Sequence, residues 1–321
     1  MRAIQVSEHG GPEVLVATEL PDPAPGPGQV LVETQAIGVN YIDTYLRTGL
    51  YPTDLPYVPG SEGTGVVREV GAGVRDVAVG DRVAWAAGPG SYAELVTVPA
   101  DVVVPVPEGI DPPVAASVLL QGMTAHYLLE SVYKPEKGET VLVHAGAGGV
   151  GLILTQLAVA RGVRVITTVS SDEKEELSRE AGAAEVLRYG PDLAGRVRAL
   201  TDGEGVAAVY DGVGKDTFDA SLDSLRVRGT LALFGAASGP VPPFDPQRLN
   251  AAGSVCLTRP SLAHFTRDRE EILWRAGAVL DAIADGSLTI RVGATYPLAE
   301  AERAHRDLEG RKTTGSIVLI P

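Results

Sequence analysis

The chain of 321 residues holds one cysteine, Cys256. A lone thiol excludes an internal disulfide and any structural zinc lobe built on cysteines. No apolar run reaches the roughly 18 residues that a membrane-crossing helix needs. The opening segment, "MRAIQVSEHGGPEV", reads as a strand and a turn without the apolar stretch of a signal peptide. A cytoplasmic protein is expected. Cations are also scarce: 27 Lys and Arg stand against 41 Asp and Glu, a formal net charge of −14. No Lys/Arg-rich run offsets that balance, so a nucleic-acid partner is disfavoured. An anionic ligand would have to be held by local cations and backbone amides. The five histidines (His9, His126, His144, His264 and His305) show no metal-ligand spacing, and no metal is expected.

What is present is a globular chain. Hydrophobic residues make up 45% of it, enough for a sizeable core. The length suits about two domains of roughly 150 residues each. Residues 1–110 read as short β segments broken by Gly and Pro, such as "QVLVETQAIGV", "GTGVVREVG" and "SYAELVTVP". Residues 112–132, "PPVAASVLLQGMTAHYLLESV", read as one long apolar helix with its Pro pair in the first turn. From Thr140 onward, apolar strands alternate with helices, the pattern of a parallel sheet covered on both faces. The expected fold class is α/β: a doubly wound Rossmann-type parallel sheet plus an irregular β-rich catalytic domain. The boundaries are expected at residues 1–122 with 261–321 for the β-rich domain and 123–260 for the dinucleotide-binding domain.

"HAGAGGVG" places Gly146-x-Gly148-x-x-Gly151 directly after a strand and directly before a helix. In that context the motif reads as a dinucleotide loop. Gly146 permits the tight turn, Gly148 lets the backbone approach a pyrophosphate, and Gly151 lets the helix pack close to the strand. The helix N-terminus supplies N–H donors without a charged side chain. NAD readers carry an acid at the end of the second strand. Here that strand ends at Val169 and is followed by Ser170, Ser171, Asp172, Glu173 and Lys174. Lys174 is positioned to pair with a 2′-phosphate, which favours NADPH over NADH. The same stretch also reads as a helix start, with Asp172 and Glu175 as a capping box and Lys174 on a solvated face. Asp172 and Glu173 would dampen a phosphate site.

The segments "HGGPEVL" (His9–Leu15), "GVNYIDTYLRTGLYP", "HAGAGGVGLI", "YDGVGKDTF", "TRPSL" and "GSIVLIP" together resemble the zinc-independent medium-chain dehydrogenases/reductases, within them the zeta-crystallin-like NADPH:quinone oxidoreductases. The resemblance implies a GroES-like β-rich domain. It also implies cofactor contacts. Asn40, Tyr41 and Tyr45 lie at the nicotinamide, and Tyr127 approaches the cofactor. Gly149 and Val150 bind the pyrophosphate. Ser170, Ser171, Lys174 and Tyr189 hold the adenosine 2′-phosphate. Gly214, Ala237, Ser238 and Gly239 line the loops beyond the later strands, and Ser261, Leu262 and Arg311 return from the C-terminal segment. Gln121 receives no charge-based role.

The stretch Ile37–Val67 is similar to the zinc site of alcohol dehydrogenases with the ligands replaced. Asn40 stands at the Cys position, Ser61 at the His position, and Glu62 remains. Amide and hydroxyl are poor zinc ligands beside thiolate and imidazole. Without a Lewis acid, the site should favour acceptors that need little activation, a quinone first and an enone next. Asn40 and Tyr45 are the candidate catalytic residues, and Tyr41, Tyr45 and Tyr51 the candidate substrate pocket. Glu62 is expected to be structural, and His144 a strand-end residue; Asp43 reads as either a turn cap or a pocket residue. Two rivals remain: an NADPH-dependent enone or alkenal reductase, and a dinucleotide-binding protein with a structural or nucleic-acid role, the latter opposed by the charge of −14. Finally, "GSVCLT", Gly253–Thr258, reads as an undefended sheet edge. It predicts a homodimer with Cys256 buried near the two-fold axis.

Overall fold

The computed structural model describes residues 1–86 and 88–321. The chain forms two compact units, Met1–Met123 with Thr266–Pro321, and Thr124–Phe265. The second unit runs past the expected boundary at residue 260. Tyr127 stacks on Phe265 with ring centroids 4.5 Å apart and planes at 5°, which holds that segment to it.

The unit Thr124–Phe265 is built on six strands: β1 (Thr140–Val143), β2 (Arg164–Val169), β3 (Glu185–Arg188), β4 (Val206–Asp211), β5 (Leu225–Leu233) and β6 (Cys256–Thr258). They are parallel and ordered β3-β2-β1-β4-β5-β6, the doubly wound arrangement. Helices α1 (Gly149–Ala160), α2 (Asp172–Glu180), α3 (Leu193–Ala199) and α4 (Phe218–Ser224) connect them. Every residue of β4 is buried, as expected of a strand covered on both faces. Leu142, Ile166, Val209 and Leu231 from four adjacent strands share one core cluster with Val255. The edge strand is shorter than its sequence suggests. Gly253 (φ 105°) and Ser254 (φ 55°) are both left-handed, so extended pairing begins only after them. Cys256 is exposed in the single chain.

In the other unit, the strand Gln29–Val39 is central. It pairs antiparallel with Glu62–Val70, Leu95–Pro99 and the closing strand Ser316–Ile320. It ends at Asn40, where the helix Tyr41–Arg47 begins. Gly38 is required one step earlier: a Cβ there would lie 2.3 Å from the Ala116 carbonyl and 2.5 Å from Glu62 Oε2. The expected single helix over residues 112–132 is broken into Pro112–Ala115, Leu119–Tyr127 and a π-helical turn, Leu128–Val132. The break has a long-range cause. The Leu120 N–H, freed at the start of the second piece, donates to Glu62 Oε1 at 2.8 Å. A carboxylate brought in by another strand caps that helix.

Candidate active site

The glycine loop lies between β1 and α1. A Cβ on Gly146 would meet Thr167 Cβ at 2.6 Å, and one on Gly151 would meet the Ala145 carbonyl at 2.3 Å. Gly148 differs: among the described residues outside its chain neighbours and own helix, a Cβ there would meet only that carbonyl, at 3.3 Å, so the loop keeps an open flank where a pyrophosphate can approach. Helix α1 follows with Gly149, Val150 and no acid in its first turn. Ala145 is left-handed (φ 54°), and its N–H donates to the Tyr189 hydroxyl at 3.0 Å. Tyr189, at the end of β3, is thereby tied to the loop. These residues fit a dinucleotide's phosphates.

His144, just before the loop, belongs to a closed network. Ser221 donates to Asp211 Oδ2 (2.7 Å), so it accepts from His144 Nε2 (3.0 Å), and His144 Nδ1 accepts from the Thr168 hydroxyl (2.8 Å). Burial holds the imidazole below its usual pKa. It is a structural histidine. Asp211 also accepts from the N–H groups of Val213 and Gly214. That ties down the loop carrying Gly214. The Gly239 carbonyl accepts from Lys215 N, and Ser238 Oγ bonds the Val213 carbonyl, so the loops beyond β4 and β5 are joined.

At the far end of β2, Ser171 caps α2 by accepting from Lys174 N at 3.3 Å. The cap is Ser171, not the expected Asp172, which is the first helical residue and fully exposed. Sequence reasoning missed Arg188. Its register partner is Val169, the last residue of β2, and its guanidinium bonds Ser171 O, Asp172 and Glu175. The signal was a cation directly before Tyr189 at the end of the adjacent strand.

In the other unit, the position resembling a metal site is filled by a chain of hydrogen bonds. Asn40 Nδ2 donates to Glu62 Oε2 (2.8 Å), Gln121 Nε2 donates to Asn40 Oδ1 (3.1 Å), and Ser316 Oγ donates to Gln121 Oε1 (2.7 Å). All four residues are buried. The direction of the chain follows from Glu62: while it accepts, Asn40 must donate. Gln121 and Ser316 had no assigned role in the sequence, and Glu62 gains one beyond its backbone bond. Zinc does not fit this donor set of amide, hydroxyl and a carboxylate already holding two N–H groups. Tyr45 lies 6.4 Å from Tyr41 and 5.4 Å from Tyr51 between ring centroids, so the three tyrosines form one aromatic group. The Tyr41 hydroxyl donates to the Leu308 carbonyl (3.1 Å).

A second buried network lies beneath the helix Tyr41–Arg47. Arg47 can only donate, so His305 Nδ1 accepts from it (3.1 Å). His305 Nε2–H then donates to the Tyr92 hydroxyl (2.9 Å), which donates to Asp43 Oδ2 (3.0 Å). The same oxygen accepts from Asn40 N (2.9 Å). Asp43 is thus a cap for the helix and not a pocket residue.

Of the remaining candidates, Tyr127 is buried against Phe265, and Ser261 precedes the short turn Leu262–His264. Arg311 follows the helix Ala301–Glu309 in a left-handed conformation (φ 57°).

A family model described as "Zinc-binding dehydrogenase" matches residues 149–273, and one described as "Alcohol dehydrogenase GroES-like domain" matches residues 26–108. A quinone oxidoreductase of Pseudomonas aeruginosa is 47% identical over 323 residues, covering 100% of this chain and 99% of the relative. The chain belongs to the zeta-crystallin-like medium-chain dehydrogenases/reductases. Two solved members of this family share the fold over 100% of both chains. A mycobacterial protein complexed with NADPH is 62% identical with a TM-score of 0.99. The Escherichia coli quinone oxidoreductase complexed with NADPH is 42% identical with a TM-score of 0.97.

Titration should register both networks. Burial pushes the Glu62 carboxyl up to about 8 and the Asp43 carboxyl up to about 7, against the pull of their hydrogen bonds. Stability from these two is fully present below their unfolded values and is lost as pH rises through 7 and 8. Burial, with the Arg47 charge, pushes His305 down to about 3. Its contribution is present above 6.5 and is lost as pH falls. Between pH 8.5 and 5.5 the two carboxyls outweigh the histidine. Stability is expected to be higher at pH 5.5 by about 2–4 kcal/mol, and Glu62→Gln should flatten that slope. Urea midpoints across the range check this. A flat or inverted profile would mean that both carboxyls are ionised in the folded protein.

Proposed function

We propose that the protein transfers hydride from NADPH to a quinone without a metal. The observation that carries the reading is the closed Glu62–Asn40–Gln121–Ser316 chain at the position of a metal site. It offers hydrogen bonds and orientation but no Lewis acid. A quinone suits it: the carbonyls are electron-poor, and the reduced product is aromatic and weakly basic, able to collect its proton from water. The names of the quinone oxidoreductase relatives support the same reading. NADPH, when bound, supplies the hydride.

The protein's part is positioning. Asn40 is held on both amide atoms, and Glu62 sets the direction: ionised, Oε2 accepts from Asn40 Nδ2; protonated, as its raised pKa favours at neutral pH, Oε2 donates and the chain reverses. Tyr45 is proposed to donate to the acceptor oxygen, with Tyr41 and Tyr51 as walls. Gly146, Gly148, Gly149, Val150 and Gly151 are proposed to hold the pyrophosphate. Ser170, Ser171, Lys174 and Tyr189 are proposed to hold the 2′-phosphate. Tyr127, Gly214, Ala237, Ser238, Gly239, Ser261, Leu262 and Arg311 stand as further proposed cofactor contacts.

NADPH oxidation against matched quinones and enones, with NADH as the control and with a chelator present, tests the proposal. Quinone turnover with NADPH that resists chelation is expected. Faster enone turnover would favour an enone or alkenal reductase. Binding of NADPH without any turnover would leave a structural protein.

We also propose a cytoplasmic homodimer, joined where β6 forms the outer edge of the sheet. A charge at Val255 would not probe that edge, because Val255 is a core residue at 6% exposure. Cys256→Arg, at an exposed position, is expected to give the mass of one chain by light scattering, where the unaltered protein gives two. An unaltered protein already at the mass of one chain would rule the dimer out.

A further inference from the structure

Helix α2 starts with Asp172, Glu173 and Glu175 in its first turn. Acids there suit the helix dipole. They do not suit a dianionic 2′-phosphate beside Lys174, in a protein that is already acidic. The structure supplies an answer on the neighbouring strand. Arg188, at the end of β3, reaches across to the start of α2. Its Nη2 bridges Asp172 Oδ1 (2.5 Å) and Glu175 Oε2 (2.8 Å), and its Nη1 donates to the Ser171 carbonyl. Glu175 is paired on its other oxygen as well, by Arg179 Nη2 at 2.8 Å. Only Glu173 of the three acids lacks a drawn-in arginine among these bonds.

The Ser171 carbonyl already accepts the first helical bond from Glu175 N at 3.0 Å, so the Arg188 contact adds a second donor there and leaves the peptide plane to the helix. These ion pairs are exposed or part-exposed and contribute little to folding. Their consequence is local: Arg188, together with Arg179, offsets the charges of Asp172 and Glu175.

We infer that Arg188 is a specificity-determining positioning residue for NADPH, acting through Asp172 and Glu175. The inference rests on the reading of this patch as the 2′-phosphate site.

The test is the dissociation constant of NADPH and of NADH, each measured by cofactor fluorescence at low and at moderate salt. Arg188→Met is expected to weaken NADPH about tenfold, less so in salt, and to change NADH by less than about twofold. Arg188→Lys should recover part of the loss, since it restores the charge without the fork. Arg188→Met combined with Asp172→Asn and Glu175→Gln should return NADPH to within about threefold of the unaltered protein. Equal weakening of both cofactors, or no recovery in the triple variant, overturns the inference. An unaltered protein that prefers NADPH, with the same preference in Arg188→Met, overturns it while leaving the NADPH reading intact. An unaltered protein with no preference overturns both.

Discussion

Lys174→Ala is expected to weaken NADPH binding about ten- to a hundredfold and to leave NADH binding nearly unchanged. Lys174 sits in the first turn of α2, its backbone N–H bonded to the Ser171 cap. The side chain therefore starts from a fixed point beside the end of β2. A charge-assisted contact with a phosphate is worth about 1.5–3 kcal/mol, which sets the size of the effect. NADH has no 2′-phosphate and should not register the loss. Dissociation constants for both cofactors, measured on the same preparations, decide it. Equal effects would make Lys174 a helix-surface residue and move the phosphate contact elsewhere.

The largest stability effect is expected at Arg47. The side chain is 1% exposed and bonds the Gly10 carbonyl (3.2 Å), His305 Nδ1 (3.1 Å) and Glu309 Oε1 (2.7 Å). Arg47→Met leaves all three acceptors without their donor. It also removes the group that fixes the His305 tautomer and, through it, the Tyr92 and Asp43 bonds. The expected cost is about 3–5 kcal/mol in urea unfolding. Arg47→Lys should recover little, because an ammonium cannot reproduce three bonds in a planar fork. Tyr92→Phe, which breaks the same relay at one link, should cost less, about 1–3 kcal/mol. A loss under about 1 kcal/mol for Arg47→Met would show that the relay is not coupled.

Local signals made the glycine loop and the parallel sheet legible. "HAGAGGVG" between an apolar strand and an apolar helix needs no partner from elsewhere to be understood, and β4 is apolar along nearly its whole length. The break in the helix over residues 112–132 was not legible, because the residue that caps its second piece is Glu62, on a distant strand. The same holds for Asn40: its type marked the position, but its partner Gln121, itself held by Ser316, comes from a segment far along the chain. Arg188 was hidden for a related reason. Its meaning depends on strand register, since it faces Val169 only once β3 pairs with β2. Asp43 could be read as a cap or as a pocket residue until Tyr92 and Asn40 were placed around it. The shortened β6 is a different case: Gly253 marked the turn, and Ser254 adopting φ 55° extended it by a residue that no propensity would select.

The closing strand Ser316–Ile320 has a consequence for how the protein is made. It pairs with the central strand at the very residues that lead into Asn40: Ile317 with Val39, Val318 with Gly38, and Leu319 with Ile37. Ser316 holds Gln121 in the same step. On the ribosome, the contiguous unit Thr124–Phe265 emerges whole and can fold as soon as it does. Leu95–Pro99 covers that edge of the central strand only over Gln29–Glu33, so Ile37–Val39 waits for Ser316–Ile320. Until then that short stretch can pair with a stranger. Asn40 and Gln121 reach their final places only when Ser316–Ile320 is seated.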